Sequence, residues 1–152
     1  MIRQAYQADI EKIMEMDKET LLYDAHLCGI TPIQIETDHP ALFQKAVTRF
    51  NGEIWVADID DTMAGFIWVI ESTDYFSGDK IGFILKLFVE EHFRNQGIAT
   101  ALLQKAEEFC KRNAYTTLEL NVAKSNTMSV IMYEHRDFEV FRYRMRKKIS
   151  DR

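Results

Sequence analysis

Apolar and polar residues alternate along the chain with two different periods, and each period predicts one kind of element. Apolar residues at helical spacing predict a first helix that begins behind Asp9 and a second that spans Leu42–Phe50. Between them lies the loop Tyr23–Glu36, which has no clear pattern. The residues Thr37–Pro40 supply caps and a first-turn proline for the second helix. The N-terminal part of the chain is therefore predicted to be mainly helical.

Period-two alternation and short apolar runs predict the strands. These are Met1–Gln4, Glu53–Ile59, Met63–Glu71, Ile81–Val89, Thr117–Val122 and Phe138–Lys148. The polar residues Asp60 to Thr62 predict a hairpin between the second and the third of them. Ile81–Val89 is apolar on both faces, which is typical of a central strand that is covered on both sides. In the last strand apolar residues occupy even positions up to Val140 and odd positions from Phe141. A regular strand cannot turn both sets to one face, so a bulge or bend is predicted near Val140.

The clearest helical pattern follows the central strand. Its apolar face carries Ile98, Ala99, Leu102, Leu103, Ala106, Phe109 and Cys110. Asn113 is a candidate C-terminal cap, and a further helix is predicted at Asn126–His135. Because a strand, a helix and a strand follow one another here, Ile81–Val89 and Thr117–Val122 are predicted to pair in parallel.

Composition narrows the class of protein. With 152 residues, 47% of them apolar, the chain is long enough for one globular core, so residues 1–152 are expected to form a single domain. No apolar run approaches the roughly 20 residues of a membrane helix, and no signal-peptide pattern is found, so a cytoplasmic protein without a membrane partner is expected.

A net charge of −5 argues against a general nucleic-acid binder. Against that background, the basic segment Arg142–Lys148 is interpreted as a solvated strand edge.

Cysteine and histidine give little support to redox or metal chemistry. Cys28 and Cys110 are too few for a disulfide framework. His26 and Cys28 form an H-x-C pair, but no third and fourth ligands follow at metal spacing. We therefore expect no metal site.

The polar loop in front of the long helix is the first candidate for chemistry. Arg94, Asn95 and Gln96 lead into one glycine, Gly97, behind which the helix begins. The first amides of a helix have no intrahelical acceptor and carry partial positive charge, so they bind anions when a turn exposes them. The sequence contains neither a P-loop pattern nor a dinucleotide fingerprint. The loop indicates a phosphate-sized anion site built mainly from backbone, with Arg94 as an added charge; the alternative is an ordinary strand-to-helix turn.

Two blocks of sequence follow one another at a specific spacing. The first begins with Leu87-Phe88-Val89 and continues as Arg94-Asn95-Gln96-Gly97-Ile98-Ala99, which fits the pattern Q/R-x-x-G-x-G/A. The second begins with Leu118-Glu119-Leu120-Asn121-Val122 and continues through Asn126 and Tyr133 to Phe138. In their order and spacing the two blocks resemble the GNAT family of N-acetyltransferases. The resemblance covers the chain from Ile81 to Phe138.

The resemblance implies a fold and a reaction. The fold is α/β, with a mixed, mostly antiparallel sheet, helices on both faces and central strands that splay apart. The reaction is the transfer of an acetyl or other acyl group from acetyl-CoA, or another acyl-CoA, to a primary amine of a small molecule or peptide. The amine attacks directly in a ternary complex, and no metal takes part. A homodimer is compatible with this family.

The resemblance also implies which residues act. The residues that it assigns to the cofactor are Leu87, Phe88, Val89, Arg94, Asn95, Gln96, Gly97, Ile98, Ala99, Thr100 and Asn126. Tyr133 is implied as the general acid that protonates the departing thiolate. It follows Asn126 by two helical turns, so both residues share one helix face. Helix capping is the simpler role of Asn126 and is compatible with contact to the cofactor.

Three positions depart from the family pattern. Ser129 stands where alanine is usual, Asp137 replaces a glycine, and Leu85-Lys86 stands where many relatives carry an acid near the end of the central strand. An aspartate tolerates the left-handed conformation that a glycine supplies, at some cost. The lost acid removes the obvious general base, and the candidates that stay open are Glu53, Asp58, Asp74, Glu119 and His92.

Two other functions fit the same observations. One is a non-catalytic domain of the same fold that binds or senses acyl-CoA, which the missing acid near Lys86 favours. The other is a nucleic-acid or protein interaction module that uses the basic C-terminal strand. It would bind polyanions with a steep salt dependence and would be indifferent to CoA.

Overall fold

The computed structural model describes residues 1–31 and 35–150, with the backbone alone for residues 35–37. The strands are β1 (Ile2–Gln4), β2 (Gly52–Ile59), β3 (Thr62–Thr73), β4 (Lys80–Val89) and β5 (Leu118–Leu120). The helices are α1 (Ile10–Leu27), α2 (Ile35–Arg49), α3 (Ile98–Arg112) and α4 (Thr127–Glu134). These elements belong to two compact units, Met1–Asn121 and Val122–Arg152. The single domain expected from the sequence stays a prediction.

The five strands of the first unit form one mixed sheet. Their order is β1-β2-β3-β4-β5, and each pair of neighbours is antiparallel except β4 and β5, which are parallel. The two-residue turn between β2 and β3 has positive φ at both Asp60 (49°) and Asp61 (61°), as a type I′ hairpin requires. The predicted hairpin, the mostly antiparallel sheet and the parallel last pair are therefore confirmed.

Helices cover both faces of this sheet. On one face Phe66, Trp68 and Ile70 of β3 form a core with residues of α1 and α2, among them Ile13 and Phe43. The intervening residues of β3 point to the opposite face, where they are fully buried and α3 packs across β2, β3 and β4. Because β3 is buried on both faces, it reads in the sequence as a continuous apolar run rather than an alternating one.

The start of the second helix differs from the prediction. α2 begins at Ile35, so Pro40 lies inside the helix and not in its first turn. Proline removes the N–H that would bond to the carbonyl four residues earlier, and α2 continues past that position. α1 extends to Leu27, so the connection is shorter than the predicted loop Tyr23–Glu36. Residues 32–34 of that loop lie outside the described part of the chain.

The C-terminal strand was predicted wrongly. Among the described residues, 138–150 form no strand, although Phe138–Lys148 was expected to do so. Val140, Phe141, Tyr143 and Met145 are all more than half exposed, from 60% to 91%. Since apolar residues of both parities are exposed alike, no buried face selects one register, and the alternation in the sequence does not specify a ladder.

A left-handed residue ends α3. The amide of Tyr115 donates to the carbonyl of Cys110 at 2.9 Å and that of Ala114 to Lys111 at 3.2 Å, the two hydrogen bonds of a Schellman motif. Ala114 has φ 59° and occupies the position that glycine usually takes. The predicted cap, Asn113, donates from its side chain to the carbonyl of Phe109 at 2.8 Å. The end of the helix is therefore well bonded but conformationally strained at Ala114.

Replacing this alanine should stabilise the protein. We expect Ala114→Gly to raise the free energy of unfolding by about 0.5 to 1 kcal/mol, because glycine adopts positive φ without a Cβ penalty. The control is Ala101→Gly inside α3, which should lower the free energy of unfolding by about 1 kcal/mol. Urea unfolding measures both. A loss of stability in Ala114→Gly similar to that in the control would contradict the strain.

Candidate functional site

The central feature of the site is the point at which β4 leaves β5. The two strands are paired from Gly82↔Leu118 to Ile84↔Leu120. β4 then continues to Val89 beside β3, whereas β5 ends at Leu120. Within the described residues, the outer edge of 85–89 in β4 thus has no strand beside it. An unpaired strand edge presents a row of backbone N–H and C=O groups to a ligand.

A β-bulge lies at the same point. The register with β3 runs Val69↔Ile84 and then Trp68↔Lys86, so β4 has one extra residue, Leu85. A bulge of this kind bends the strand, increases its twist and redirects a side chain. Both Leu85 and Phe88 pack against the core below α1 and α2, although their positions differ in parity. The bulge therefore brings Lys86 onto the face that α1 and α2 cover.

The backbone of the open edge can be assigned by alternation. The amide of Glu90 donates to the carbonyl of Ala64 in the β3 hairpin at 2.8 Å, so it points toward β3. The N–H and C=O groups of successive residues point to opposite edges of a strand. Those of Phe88 therefore also point toward β3, and those of Leu87 and Val89 point to the open edge. The Nε of Arg94 donates to the carbonyl of Val89 at 2.9 Å, consistent with an outward carbonyl.

The predicted loop connects this edge to α3. A single 3-10 turn, Glu91–Phe93, follows β4, and then Asn95 and Gly97 adopt left-handed conformations with φ 61° and 80°. A Cβ built on Gly97 would meet nothing within 4 Å. Conformation, and not lack of space, therefore requires glycine here. The open space also allows a ligand to approach the backbone closely.

The N-terminus of α3 has no compensating group of its own. Gly97 is the N-cap and accepts the first helical bond, from Ala101 at 3.1 Å, but provides no side-chain cap. No acidic residue lies in the first turn. The amides of Ile98, Ala99 and Thr100 have no intrahelical acceptor at this position, so the partial positive charge of the helix is available to an anion.

The remaining two predicted residues lie in the second compact unit. Asn126 is the N-cap of α4, and its Oδ1 accepts from the amide of Ser129 at 3.3 Å, which confirms the capping role. Tyr133 lies near the other end of α4, half-buried, with its ring edge-on to Phe138 at 5.5 Å between centroids. The chain reverses behind the helix at Asp137, which has φ 66°. Aspartate thus supplies the left-handed conformation expected at this position.

Two of the candidate bases are engaged elsewhere. The Glu53 carboxylate accepts hydrogen bonds from both terminal nitrogens of Arg112, at 2.7 and 2.8 Å, and from the ring N–H of Trp55. The Arg112 guanidinium holds the pKa of Glu53 below its usual range. Asp58 accepts from Nε of Arg3 at 2.7 Å. A carboxylate whose pKa is lowered, as that of Glu53 is, is a poor proton acceptor.

Sequence reasoning missed a buried cluster of charged side chains between α1, α2 and β4. His39 Nε2 lies 2.7 Å from Asp17 Oδ2, and both residues are nearly inaccessible, at 5% and 6% exposure. Lys86 Nζ lies 3.9 Å from Asp17 Oδ1. The oxygen Oδ1 is buried and accepts no hydrogen bond from the described residues. Polar residues on an otherwise apolar helix face were the one signal in the sequence.

A second carboxylate of α1 lies near this cluster. Asp24 follows Asp17 by two helical turns and is half-buried. Burial raises the pKa of Asp24, Lys86 opposes this shift, and the charge of Asp17 adds to it. Lys86 and Asp17 are thus close enough to Asp24 to act on its ionisation.

Among the described residues, no three His, Cys, Asp or Glu side chains lie together in a way that could hold a metal ion. None of the helices described is long and apolar enough to cross a membrane.

The chain belongs to the acetyltransferase (GNAT) family, whose family model matches residues 15–138. An uncharacterized N-acetyltransferase of Archaeoglobus fulgidus is 32% identical over 98 residues, which are 62% of this chain and 65% of that protein. A rat protein named N-acetyltransferase 8F1 is 27% identical over 89 residues, 59% of this chain. The chain spans less than two thirds of the length of these relatives, 65% and 40% respectively.

Solved structures share the fold over nearly the whole chain. A putative acetyl transferase from Pyrococcus furiosus has a TM-score of 0.86 and 27% identity, with 98% of this chain and 99% of that chain covered. The acetyltransferase AAC(6')-Iy in complex with a bisubstrate analogue of CoA and acetylneamine has a TM-score of 0.72 at 22% identity, with 97% and 98% covered. The second likeness shows the fold alone.

The buried cluster should contribute to stability. We expect Asp17→Ala to lower the free energy of unfolding by about 3 kcal/mol, because His39 and Lys86 lose their shared partner inside the protein. Glu15→Ala on the same helix is the control, since it breaks only an exposed pair with Lys12 at 3.4 Å. That control should cost less than about 1 kcal/mol. Equal losses in the two variants, measured by urea unfolding, would show that the cluster contributes no more than a surface pair.

Proposed function

We propose that the protein transfers an acetyl or other acyl group from acetyl-CoA, or another acyl-CoA, to a primary amine, which attacks the thioester directly. The observation that carries this function is the open edge of β4, which runs from the bulge at Leu85 to Val89 and leads directly to the uncompensated N-terminus of α3. A thioester with a long polar arm and a phosphate end matches these two features in the same order.

The phosphate end of the donor belongs at α3. The amides from Gln96 to Thr100 would donate to the pyrophosphate, and the left-handed Gly97 brings the backbone close to it. Arg94 is fixed to the carbonyl of Val89 through Nε. Since a guanidinium has five N–H donors, four are left for hydrogen bonds to phosphate oxygens. Asn95 shapes the turn through its positive φ.

The pantetheine arm would lie along the open edge of β4. Its amide groups would pair with the outward backbone groups of Leu87 and Val89, as an added strand does. Phe88 would support this edge from the other side, because its backbone points toward β3 and its side chain belongs to the core. The arm then places the thioester at the bulge, where β4 and β5 meet again.

The chemistry requires one proton to leave and another to arrive. The acceptor amine loses a proton before or during its attack on the thioester carbonyl, and the C–S bond then breaks. Tyr133 is the residue proposed to protonate the departing thiolate, and Asn126 to contact the cofactor while it caps α4. Both assignments are supported by the family to which the chain belongs and by their places on one helix.

The acceptor is proposed only as a class, a primary amine on a small molecule or a peptide. A structural neighbour, AAC(6')-Iy, has been solved with a bisubstrate analogue that joins CoA to acetylneamine. Acetyl-CoA consumption should be measured with polyamines, amino acids, peptides with free N-termini and aminoglycosides. Binding of acetyl-CoA without turnover of any amine would instead support an acyl-CoA-binding or sensing domain.

Acetyl-CoA should stabilise the protein through the α3 loop. We expect about 2.7 kcal/mol of stabilisation at a hundredfold excess over the dissociation constant, seen as a rise in Tm. Gly97→Val should remove most of this effect, because valine rarely adopts the left-handed conformation that presents the amides.

Gly78→Val is the matched control. Gly78 also has positive φ, 77°, and open space around its Cβ position, but it lies in the β3–β4 turn. Its replacement should cost similar strain and leave the acetyl-CoA effect intact. Absence of any Tm shift in the wild type at millimolar acetyl-CoA would overturn the donor assignment.

Tyr133→Phe tests the general acid. The ring that contacts Phe138 is kept, so folding and acetyl-CoA affinity should be unchanged while kcat falls on the order of 100-fold. The loss should shrink as pH falls, because solvent then supplies the proton. Tyr143→Phe is the control, since Tyr143 is 85% exposed. Wild-type kcat and pH dependence in Tyr133→Phe would assign the ring to packing alone.

A further inference from the structure

The reactive end of the donor can be located on β4, and this placement rests on the proposed function. The phosphate end lies at α3, beyond Val89, and the arm follows β4 backward. β4 and β5 are joined again at Ile84 and Leu120, so the open edge ends there. The thioester therefore lies beside Leu85 and Lys86, at the bulge.

The side chain of Lys86 leads from this point into the cluster of α1 and α2. The Lys86 side chain is 20% exposed, more than the side chain of Asp17 at 9% or that of His39 at 5%. One carboxylate oxygen of Asp17, Oδ2, accepts a hydrogen bond from the ring of His39. Its other oxygen, which is buried and accepts no hydrogen bond from the described residues, lies on the side of Lys86. The cluster thus has a buried anchor and an accessible side.

Two carboxylates face one ammonium on that side. Asp17 and Asp24 come from α1, Lys86 comes from β4, and His39 of α2 lies 2.7 Å from Asp17. The two carboxylates of α1 outnumber the one ammonium of β4. Such a site attracts an ammonium group, which is the form in which most primary amines arrive at neutral pH.

We propose that Asp24 is the general base, which accepts the proton that the acceptor amine loses, and that Asp17, held by His39, positions Lys86 next to it. The ammonium form of the acceptor binds beside the Asp24 carboxylate and gives it one proton. The free amine forms the bond to the thioester carbonyl carbon, and the C–S bond breaks with its electron pair on sulfur. The nitrogen releases its second proton to solvent, while the thiolate takes the proton of Tyr133, which solvent restores. Asp24 afterwards releases its proton to solvent.

Asp24 suits this role better than Asp17. A base must be within reach of the substrate, and Asp24 is half-buried whereas Asp17 is enclosed. Burial raises the pKa of Asp24, and a carboxylate with a raised pKa is a stronger base. The charge of Lys86 opposes that shift. Asp17 contacts His39 through one oxygen and faces Lys86 with the other.

The principal test compares Asp24→Asn with Glu19→Gln, an exposed carboxylate of the same helix. The substrates are acetyl-CoA and spermidine, glycinamide, a peptide with a free N-terminus and kanamycin. We expect kcat to fall on the order of 100-fold or more in Asp24→Asn and to be unchanged in Glu19→Gln. The Tm shift with acetyl-CoA should persist in both variants.

The pH dependence separates a base from a structural residue. In the wild type kcat/KM should rise through the pKa of Asp24 as its carboxylate ionises, and this acid limb should be absent in Asp24→Asn. Carboxyl carbon NMR of the wild type should give Asp24 a pKa above the ordinary value of about 3.9. This measurement needs no variant and no acceptor.

The outcomes distinguish this inference from the proposed function. If the wild type transfers acetyl groups and Asp24→Asn matches Glu19→Gln, the base assignment is overturned while the transferase stands. A carboxyl pKa of Asp24 at or below the ordinary value would also overturn it. If the wild type transfers to none of the four amines, the transferase function fails, and the base assignment fails with it.

Discussion

The separation of β4 from β5 is the constraint on which the candidate site depends. Parallel pairing holds the strands together only as far as Ile84 and Leu120. The extra residue at Leu85 shifts the register of β4 against β3, and the pairing of these two strands resumes at Lys86 and continues to Val89. One strand thus remains anchored in the sheet on one side while its other side is left open. The cost of unpaired backbone groups is met when a ligand pairs with them.

The two faces of the sheet differ in how the helices pack on them. α3 packs on one face with a continuous apolar stripe, and its N-terminus follows β4 after the loop 90–97. α1 and α2 cover the other face, and there the packing includes buried charges. Burying Asp17 is tolerable because His39 donates to it and Lys86 lies nearby. The bulge is what gives Lys86 access to that face.

Local sequence patterns were sufficient for the parts of the structure that local forces determine. The apolar stripe of α3, the glycine before it, the hairpin at Asp60 and the cap at Asn126 are all confirmed. The aspartate at 137 takes the left-handed conformation for the same local reason. The C-terminal strand failed because its alternation has no buried face to select it.

Long-range contacts could not be read from the sequence in the same way. Asp17 and His39 are 22 positions apart, and the bulge that turns Lys86 toward them depends on the register of β3. Glu53 was a reasonable base until its bonds to Arg112, 59 positions away, were known. Candidate acids and bases are assigned by their tertiary neighbours, so the sequence pattern does not choose among possible proton acceptors.

Hydrogen–deuterium exchange with and without acetyl-CoA tests the central claim most directly. If the donor occupies the open edge and the start of α3, the amides of Leu87 and Val89 and of residues 96–100 should exchange more slowly when acetyl-CoA is bound. Phe88, already paired with β3, should change little. Unchanged exchange over these residues at saturating acetyl-CoA, or protection confined to other parts of the chain, would contradict the account.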